Sequence, residues 1–352
     1  MAEQLIKYVV GIDLSKDKFD VCFCEIAINQ QVKIKASRQF SNNLKGFKEF
    51  EIWLQKQQKL KLSLVLAMEA TGIYYEKLAF FLYKKAFSIS VILPNKAKKY
   101  MQALGLKSKN DKIDAKGLAR MTAEQKLDLW QPMGDYFYKL RQLTRHHEQL
   151  QASKTIFRNQ LHALENGAFE VKEVIKHQNK LINLIDKQLK ENLITIQKHI
   201  NSNSEVLQKV ENICKIKGIG MLSVATVLGE TNGFELFKNI KQLVSFTGYD
   251  IVENQSGKHV GKSKISKKGN SHIRRILHMP AFSVITYNQK PFIDLFNRVH
   301  QKTAIKMKGY VAVQKKLLIY IYTLWKKNES FQLQQNKISV NDELNPSSMF
   351  VS

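Results

Sequence analysis

Two apolar runs near the start of the chain each end in an acid. "KYVVGID", residues 7–13, and "LSLVLAMEATG", residues 62–72, are nearly continuous in aliphatic residues, with Asp13 after YVVGI and Glu69 after LVLAM. A strand with one wet face alternates apolar and polar residues, whereas a run apolar at every position is covered on both faces. Such strands belong in the middle of a sheet flanked by helices. "FSISVILP", residues 87–94, repeats the pattern, while "KFDVCFCEI", 18–26, and "VKIKASRQF", 32–40, read as alternating strands. Helical spacing runs from Gly46 to Gln58 through Phe47, Phe50 and Leu54, then over 74–85, 95–104 and 111–126. This alternation of strand and helix predicts an α/β domain over residues 1–130.

Beyond Pro132 the pattern changes. Leu140, Leu143, His147, Leu150, Lys154, Phe157, Leu161 and Leu164 are spaced 3, 4, 3, 4, 3, 4, 3, a heptad seam with two polar interruptions. A second helix over 171–200 carries Ile175, Ile182, Ile185, Leu189, Leu193, Ile196 and Ile200, and Gly167 lies between the two. The expectation is a coiled-coil helical hairpin over 131–204 that acts as spacer and oligomer contact. Arg141, Arg145, His146, Lys154 and Arg158 on the first helix also offer a nucleic-acid contact. A mainly helical third segment is expected over 205–330. It opens with "IKGIGMLSVATVLGE", 216–230, where Gly218 and Gly220 precede a helical pattern. A helix start after a tight glycine turn exposes free N–H groups, the physics by which a helix-hairpin-helix grips a phosphate, although a plain turn fits the same residues. The tail, 331–352, is polar and is read as flexible.

Charge narrows the partner. Lysine plus arginine number 56 and aspartate plus glutamate 30, a formal net charge of +26. An excess of that size favours a polyanion, most simply nucleic acid, through phosphate neutralisation and counterion release. It is densest in "IVENQSGKHVGKSKISKKGNSHIRR", 251–275, which sets seven lysines and arginines against one acid. An anionic membrane surface is the weaker alternative, and no apolar run is long enough to span a bilayer. The N-terminus lacks a signal-peptide layout, and Cys22, Cys24 and Cys214 form no disulfide framework, so a reducing, cytoplasmic setting is expected.

The acids ask for a reason. Carboxylates at strand ends collect where α/β sheets place their sites, and burying them is costly without a positive partner. "SKNDKIDAKGLA", 108–119, adds Asp111 and Asp114 three apart, on one helix face, among Lys109, Lys112 and Lys116. Four such carboxylates suit a divalent ion such as magnesium and phosphodiester chemistry. The plainer reading is four unrelated surface or capping acids, with Asp111 favoured in a first helical turn by the macrodipole.

"GIDLSKDKFDV", 11–21, "MEATGIYYEKLA", 68–79, and "NDKIDAKGLA", 110–119, resemble the three motifs of the DEDD insertion-sequence transposases, relatives of the Piv/MooV DNA invertases. "GIGMLSVATVLGE", 218–230, and "QSGKHVGKSKISKKGNSHIRRIL", 255–277, resemble that family's second domain, so the likeness runs in order over residues 7–290. It implies a RuvC-like, ribonuclease H-type first domain whose acids fall on Asp13, Glu69, Asp111 and Asp114, with Mg2+, or Mn2+ in its place. It implies a serine nucleophile in the C-terminal transposase domain, Ser256 by motif position. Without the motif, Ser263, Ser266 and Ser271 rank equally with it. It further implies double-stranded target and donor DNA, a structured bridge RNA as guide, and a homo-oligomer, a dimer assembling to a tetramer, at the bacterial nucleoid. Lys258, Lys262, Lys264, Lys267, Lys268, Arg274 and Arg275 are then expected phosphate contacts. Two alternatives to guided transposition are a metal-dependent Holliday-junction-type endonuclease and a protein-only site-specific invertase. The sequence departs from the family pattern at Ile251 and Lys217, each standing where a proline is expected.

Overall fold

The computed structural model describes residues 4–105, 110–253, 255–256, 259–261 and 264–331. The chain divides into two compact units, residues 1–132 and 133–352.

The first unit is a five-stranded mixed sheet with four helices. Its elements in order are β1 (Leu5–Leu14), β2 (Lys18–Ala27), β3 (Val32–Ser41), α1 (Leu44–Gln57), β4 (Ser63–Glu69), α2 (Glu76–Lys84), β5 (Ser88–Ile92), α3 (Pro94–Ala103) and α4 (Asp111–Glu124). The strands lie in the order β3-β2-β1-β4-β5. β1, β2 and β3 form an antiparallel meander, and β4 and β5 then run parallel to β1. That order and those directions fit the ribonuclease H-type domain the resemblance implies.

Strand parity sorts the core into two layers. Tyr8, Val10, Ile12, Leu66 and Met68 point to one face, where Phe47, Phe50 and Trp53 of α1 and Leu78 and Leu82 of α2 cover them. Rings of Phe19, Phe40, Phe50 and Trp53 pack there with centroids 5.3–6.2 Å apart. Val9, Cys22, Cys24 and Ala67 point to the other face, against Ala115, Leu118 and Ala119 of α4. The two buried thiols of Cys22 and Cys24 sit 3.7 Å apart in that layer. Gly11 governs how closely α4 approaches. A Cβ there would lie 2.0 Å from the Ala115 carbonyl oxygen and 2.3 Å from the Ala119 nitrogen. Helix backbone therefore rests directly on strand backbone. At the far end Lys7 Nζ donates to the Ala123 carbonyl at 2.8 Å, so α4 runs antiparallel to β1.

The second unit is almost wholly helical. α5 (Asp135–Glu165) and α6 (Lys172–Asn201) form the antiparallel hairpin. Of the two polar interruptions of the seam, Lys154 pairs with Asp186 on α6, while His147 and Asn192 are both buried, with the His147 Nδ1 and the Asn192 Oδ1 left without a hydrogen bond. Burial holds His147 below the usual histidine range, so it is neutral at neutral pH. The hairpin was expected as a domain of its own. Its base instead shares one core with the following helices, because Leu140, Ile196 and Ile200 pack in the same apolar cluster as Val206, Val210 and Val224.

That cluster is completed by α7 (Ser204–Cys214), α8 (Met221–Thr231), α9 (Ile240–Thr247), α10 (Ser271–Ile276), α11 (His278–Thr286), α12 (Lys290–Thr303) and α13 (Lys306–Lys327). Between α9 and α10 the basic stretch forms short strands. β6 (Ile251–Val252) pairs with β9 (Lys264–Ile265), and β7 (Gln255–Ser256) pairs with β8 (His259–Val260). Phe331, placed by sequence in the flexible tail, is instead buried against Phe292 and Tyr320. The remainder of that tail lies outside the described residues.

Candidate active site

Register brings the acids together. β1 and β4 pair in parallel up to Ile12 opposite Met68, so the next step sets Asp13 beside Glu69 at the carboxyl ends of the two strands. Asp13 shares its face with Gly11, two residues back, and Glu69 with Ala67, so both look toward α4. α4 runs antiparallel to β1, which delivers its first turn to this same end. Asn110 caps the turn, its side chain accepting from the Ile113 N–H at 2.9 Å. Asp111 and Asp114 occupy that turn, where the helix dipole favours negative charge.

The electrostatics report the convergence. Asp13 is half-buried, and its carboxyl is pushed up from 3.8 to about 6. Burial is the largest cause, followed by the charges of Asp114, Asp111, Glu69 and Asp20. Lys18 approaches one of these acids, Asp111, at 3.7 Å. All four donors are hard carboxylate oxygens, the chemistry that magnesium and manganese prefer. Among the described residues, no three His, Cys, Asp or Glu side chains close on one point tightly enough to hold an ion as they stand. The donor set therefore suits a divalent cation in its chemistry alone.

One contributor escaped the sequence reading. Asp20 lies opposite Asp13 in the β1–β2 register and is almost fully buried, 4% exposed. The signal was present in "KFDVCFC": a hairpin folding 18–24 back onto 7–14 sets Asp20 on the face that carries Cys22 and Cys24.

In the second unit, several residues expected to contact nucleic acid are engaged within the protein. Arg145 makes two short bonds, 2.6 and 2.8 Å, to the buried carboxylate of Glu230. Asn270 Nδ2 donates to Glu230 at 2.6 Å. Burial opposes the Glu230 charge, but Arg145 and Asn270 outweigh it and hold the carboxyl below its usual range. Arg274 Nη1 donates to the Thr247 and Gly269 carbonyls, closing the end of α9, and Arg275 pairs with Glu148 at 2.7 Å. Arg141 lies over the Tyr138 ring.

The glycine turn also has an internal cause. Gly218 has φ +106°, and a Cβ there would strike the Val284 nitrogen at 2.8 Å, so its close approach is to α11. Gly220, the residue before α8, faces open space. Lys264, Lys267, Lys268 and Arg158 are exposed. Ser266 donates to Asp250 at 2.6 Å, and Ser271 opens α10. Ser256 stands in β7. Lys109, Lys258, Lys262 and Ser263 lie outside the described residues.

An α/β domain that gathers carboxylates at its strand ends, joined to a helical unit with a basic stretch of short strands, is compatible with several classes of enzyme. Sequence comparison narrows them. Residues 10–170 match a profile described as "Transposase", and residues 210–296 match "Transposase IS116/IS110/IS902 family". A pilin gene-inverting protein of Moraxella bovis is 31% identical over 92% of this chain and 98% of its own length. That of Moraxella lacunata is 30% identical over the same shares. A Thermus thermophilus RuvC structure aligns at 10% identity and TM-score 0.27, covering 35% of this chain and 99% of that one, too slight a likeness to carry weight. The chain belongs to the IS110-type transposase family and is a DNA recombinase. Among the described residues, no helix is long and apolar enough to cross a membrane.

Proposed function

We propose that the chain is the transposase of an insertion sequence, cutting and rejoining DNA through a covalent phosphoserine intermediate. The observation that best supports this is the convergence at Asp13: two other elements, β4 and α4, bring Glu69, Asp111 and Asp114 within electrostatic reach of one half-buried carboxyl. Asp13, Glu69, Asp111 and Asp114 would hold divalent magnesium. Bound there, the ion supplies Lewis-acid stabilisation of charge on the scissile phosphate.

The remaining chemistry belongs to the protein. A serine hydroxyl is a weak nucleophile and needs its proton removed. The Ser256 oxygen would bond to the scissile phosphorus as the bond to the 3′ oxygen breaks. The serine proton leaves to a base, and the 3′ oxygen takes one up. The freed 3′ hydroxyl then attacks a second phosphoserine link, losing its proton to a base while the serine oxygen leaves the phosphorus and takes a proton up, so phosphodiesters are exchanged without an external energy source. Acids and serine belong to different compact units of the chain. Two copies can therefore supply one site, with the hairpin as the association element and a dimer assembling to a tetramer.

Lys264, Lys267, Lys268 and Arg158, exposed and basic, are proposed phosphate contacts for double-stranded target and donor DNA. Family membership supports a structured non-coding RNA as guide, read by shape and backbone while base pairing carries the sequence. The inverting activity named for the two Moraxella relatives favours a second reading, inversion of a DNA segment.

The test uses the full chain on end-containing DNA, with and without RNA transcribed from the flanking element. Ser256→Ala should abolish the denaturation-resistant protein–DNA adduct while retaining DNA binding. Asp13→Asn and Asp114→Asn should abolish cleavage. An undiminished adduct in Ser256→Ala removes that serine from its role. Cleavage without any adduct points to a Holliday-junction-type endonuclease, and recombination at full rate without RNA favours the invertase.

A further inference from the structure

One rung of the sheet carries more than the four motif acids. Asp13 on β1 is opposite Asp20 on β2, and Asp20 is opposite Gln39 on β3. Directly paired residues share a face, so the three side chains lie in a row on the α4 side of the sheet. Gln39 Nε2 donates to Asp20 Oδ2 at 2.8 Å. Asp20 is nearly sealed from solvent, whereas the other four acids are half-buried or exposed.

An aspartate here is an expensive choice for structure alone. A buried carboxylate beside another carboxylate is disfavoured both by desolvation and by like charge. An asparagine would accept the same Gln39 hydrogen bond, fill the same space and carry no charge. What aspartate adds is negative potential aimed at Asp13, one strand away.

We propose that Asp20 is a positioning residue of the acid site: a fifth carboxylate, oriented by Gln39, whose charge strengthens divalent-cation binding at Asp13 and its three partners. The proposal rests on the reading of those four acids as a cation site. Asp20 acts through the field it places on Asp13, and Gln39 acts by fixing which way the Asp20 carboxylate points.

The probe is Mn2+ alone, its binding to the full chain followed by loss of the free-ion electron paramagnetic resonance signal. A thermal melt of the same metal-free protein accompanies it. Asp20→Asn keeps shape and hydrogen bond and removes the charge. It should melt no lower than the parent and bind Mn2+ on the order of tenfold more weakly, about one unit in log affinity. Gln39→Leu, which keeps the charge and loses its orientation, should fall between the two.

Parent-like Mn2+ affinity in Asp20→Asn overturns the proposal, and so does weakened binding accompanied by a lowered melt in both variants, which marks a structural role. Asp13→Ala separates the two claims. If it binds Mn2+ like the parent, or the parent binds none, the cation site itself fails and the Asp20 role falls with it. If Asp13→Ala loses binding while Asp20→Asn does not, only the fifth carboxylate is removed.

Discussion

At the scale of single residues, Asp13 pits stability against function. In the free chain its carboxyl titrates near the ordinary 3.8, and in the fold it titrates at about 6. Below pH 4 both states are protonated and nothing is lost. Between pH 4 and 6 the unfolded chain has released its proton while the folded one still holds it, so stability falls as pH rises. Above pH 6 both are ionised and the full penalty remains. Asp13→Asn is therefore expected to raise the melting temperature at pH 7.5 without divalent ions, by the equivalent of about 1–2 kcal/mol. At pH 4 it should change little. Thermal melts at the two pH values check this, and an equal shift at both would contradict it.

Among elements, the contact of α4 with β1 does most to build the site. Glycine at position 11 and alanines at 115 and 119 leave no side chain between the two backbones. A methyl group at 11 meets carbonyl and amide atoms of α4, which cannot swing aside as a flexible side chain would. Gly11→Ala should cost on the order of 3 kcal/mol by overpacking and push the Asp111–Asp114 turn away from Asp13. The measurement is Mn2+ affinity together with the melt. A variant with parent-like values in both would show that the close approach is dispensable. The hairpin follows a related logic, because one of its two seam interruptions is matched across the helices, Lys154 by Asp186. One-residue slippage would separate Lys154 from Asp186, so that pair favours the observed register of α5 on α6.

For the whole molecule, a net charge of +26 predicts DNA affinity that falls steeply with salt. The structure separates exposed cations, such as Lys264, Lys267 and Lys268, from cations engaged within the fold, such as Arg145. Replacing Lys264, Lys267 and Lys268 together by alanine should reduce the slope of log affinity against log salt by about 2.7, near 0.9 per phosphate contact. Arg145→Ala strands the buried Glu230 carboxylate, which keeps Asn270 as a donor. It should cost about 2 kcal/mol or more of stability while leaving the slope unchanged. Binding titrations from 50 to 200 mM salt, about the range over which such contacts respond, distinguish the two. A slope change in Arg145→Ala would return that residue to the DNA-binding set.

Much of this protein was legible before any fold was known. Apolar runs at every position predicted strands covered on both faces, the 3, 4 spacing predicted the long helices, and the ordered motifs predicted the transposase family. These are local signals, set by periodicity and by residue types within a few positions of each other. The same locality limits the reading of cations, because Arg145, Arg274 and Arg275 look alike in sequence whether they face a phosphate, a carboxylate or a backbone carbonyl of the fold. Arg145 and Glu230, or Gly218 and Val284, become neighbours only when helices pack. The tail read from its polar composition gave up Phe331 to the core for the same reason. Asp20 marks the boundary between the two kinds of information. Its strand and its face follow from alternation. That it stands buried opposite Asp13, held by Gln39, was decided by the pairing of three strands, because register is a relation between segments that neither segment carries alone.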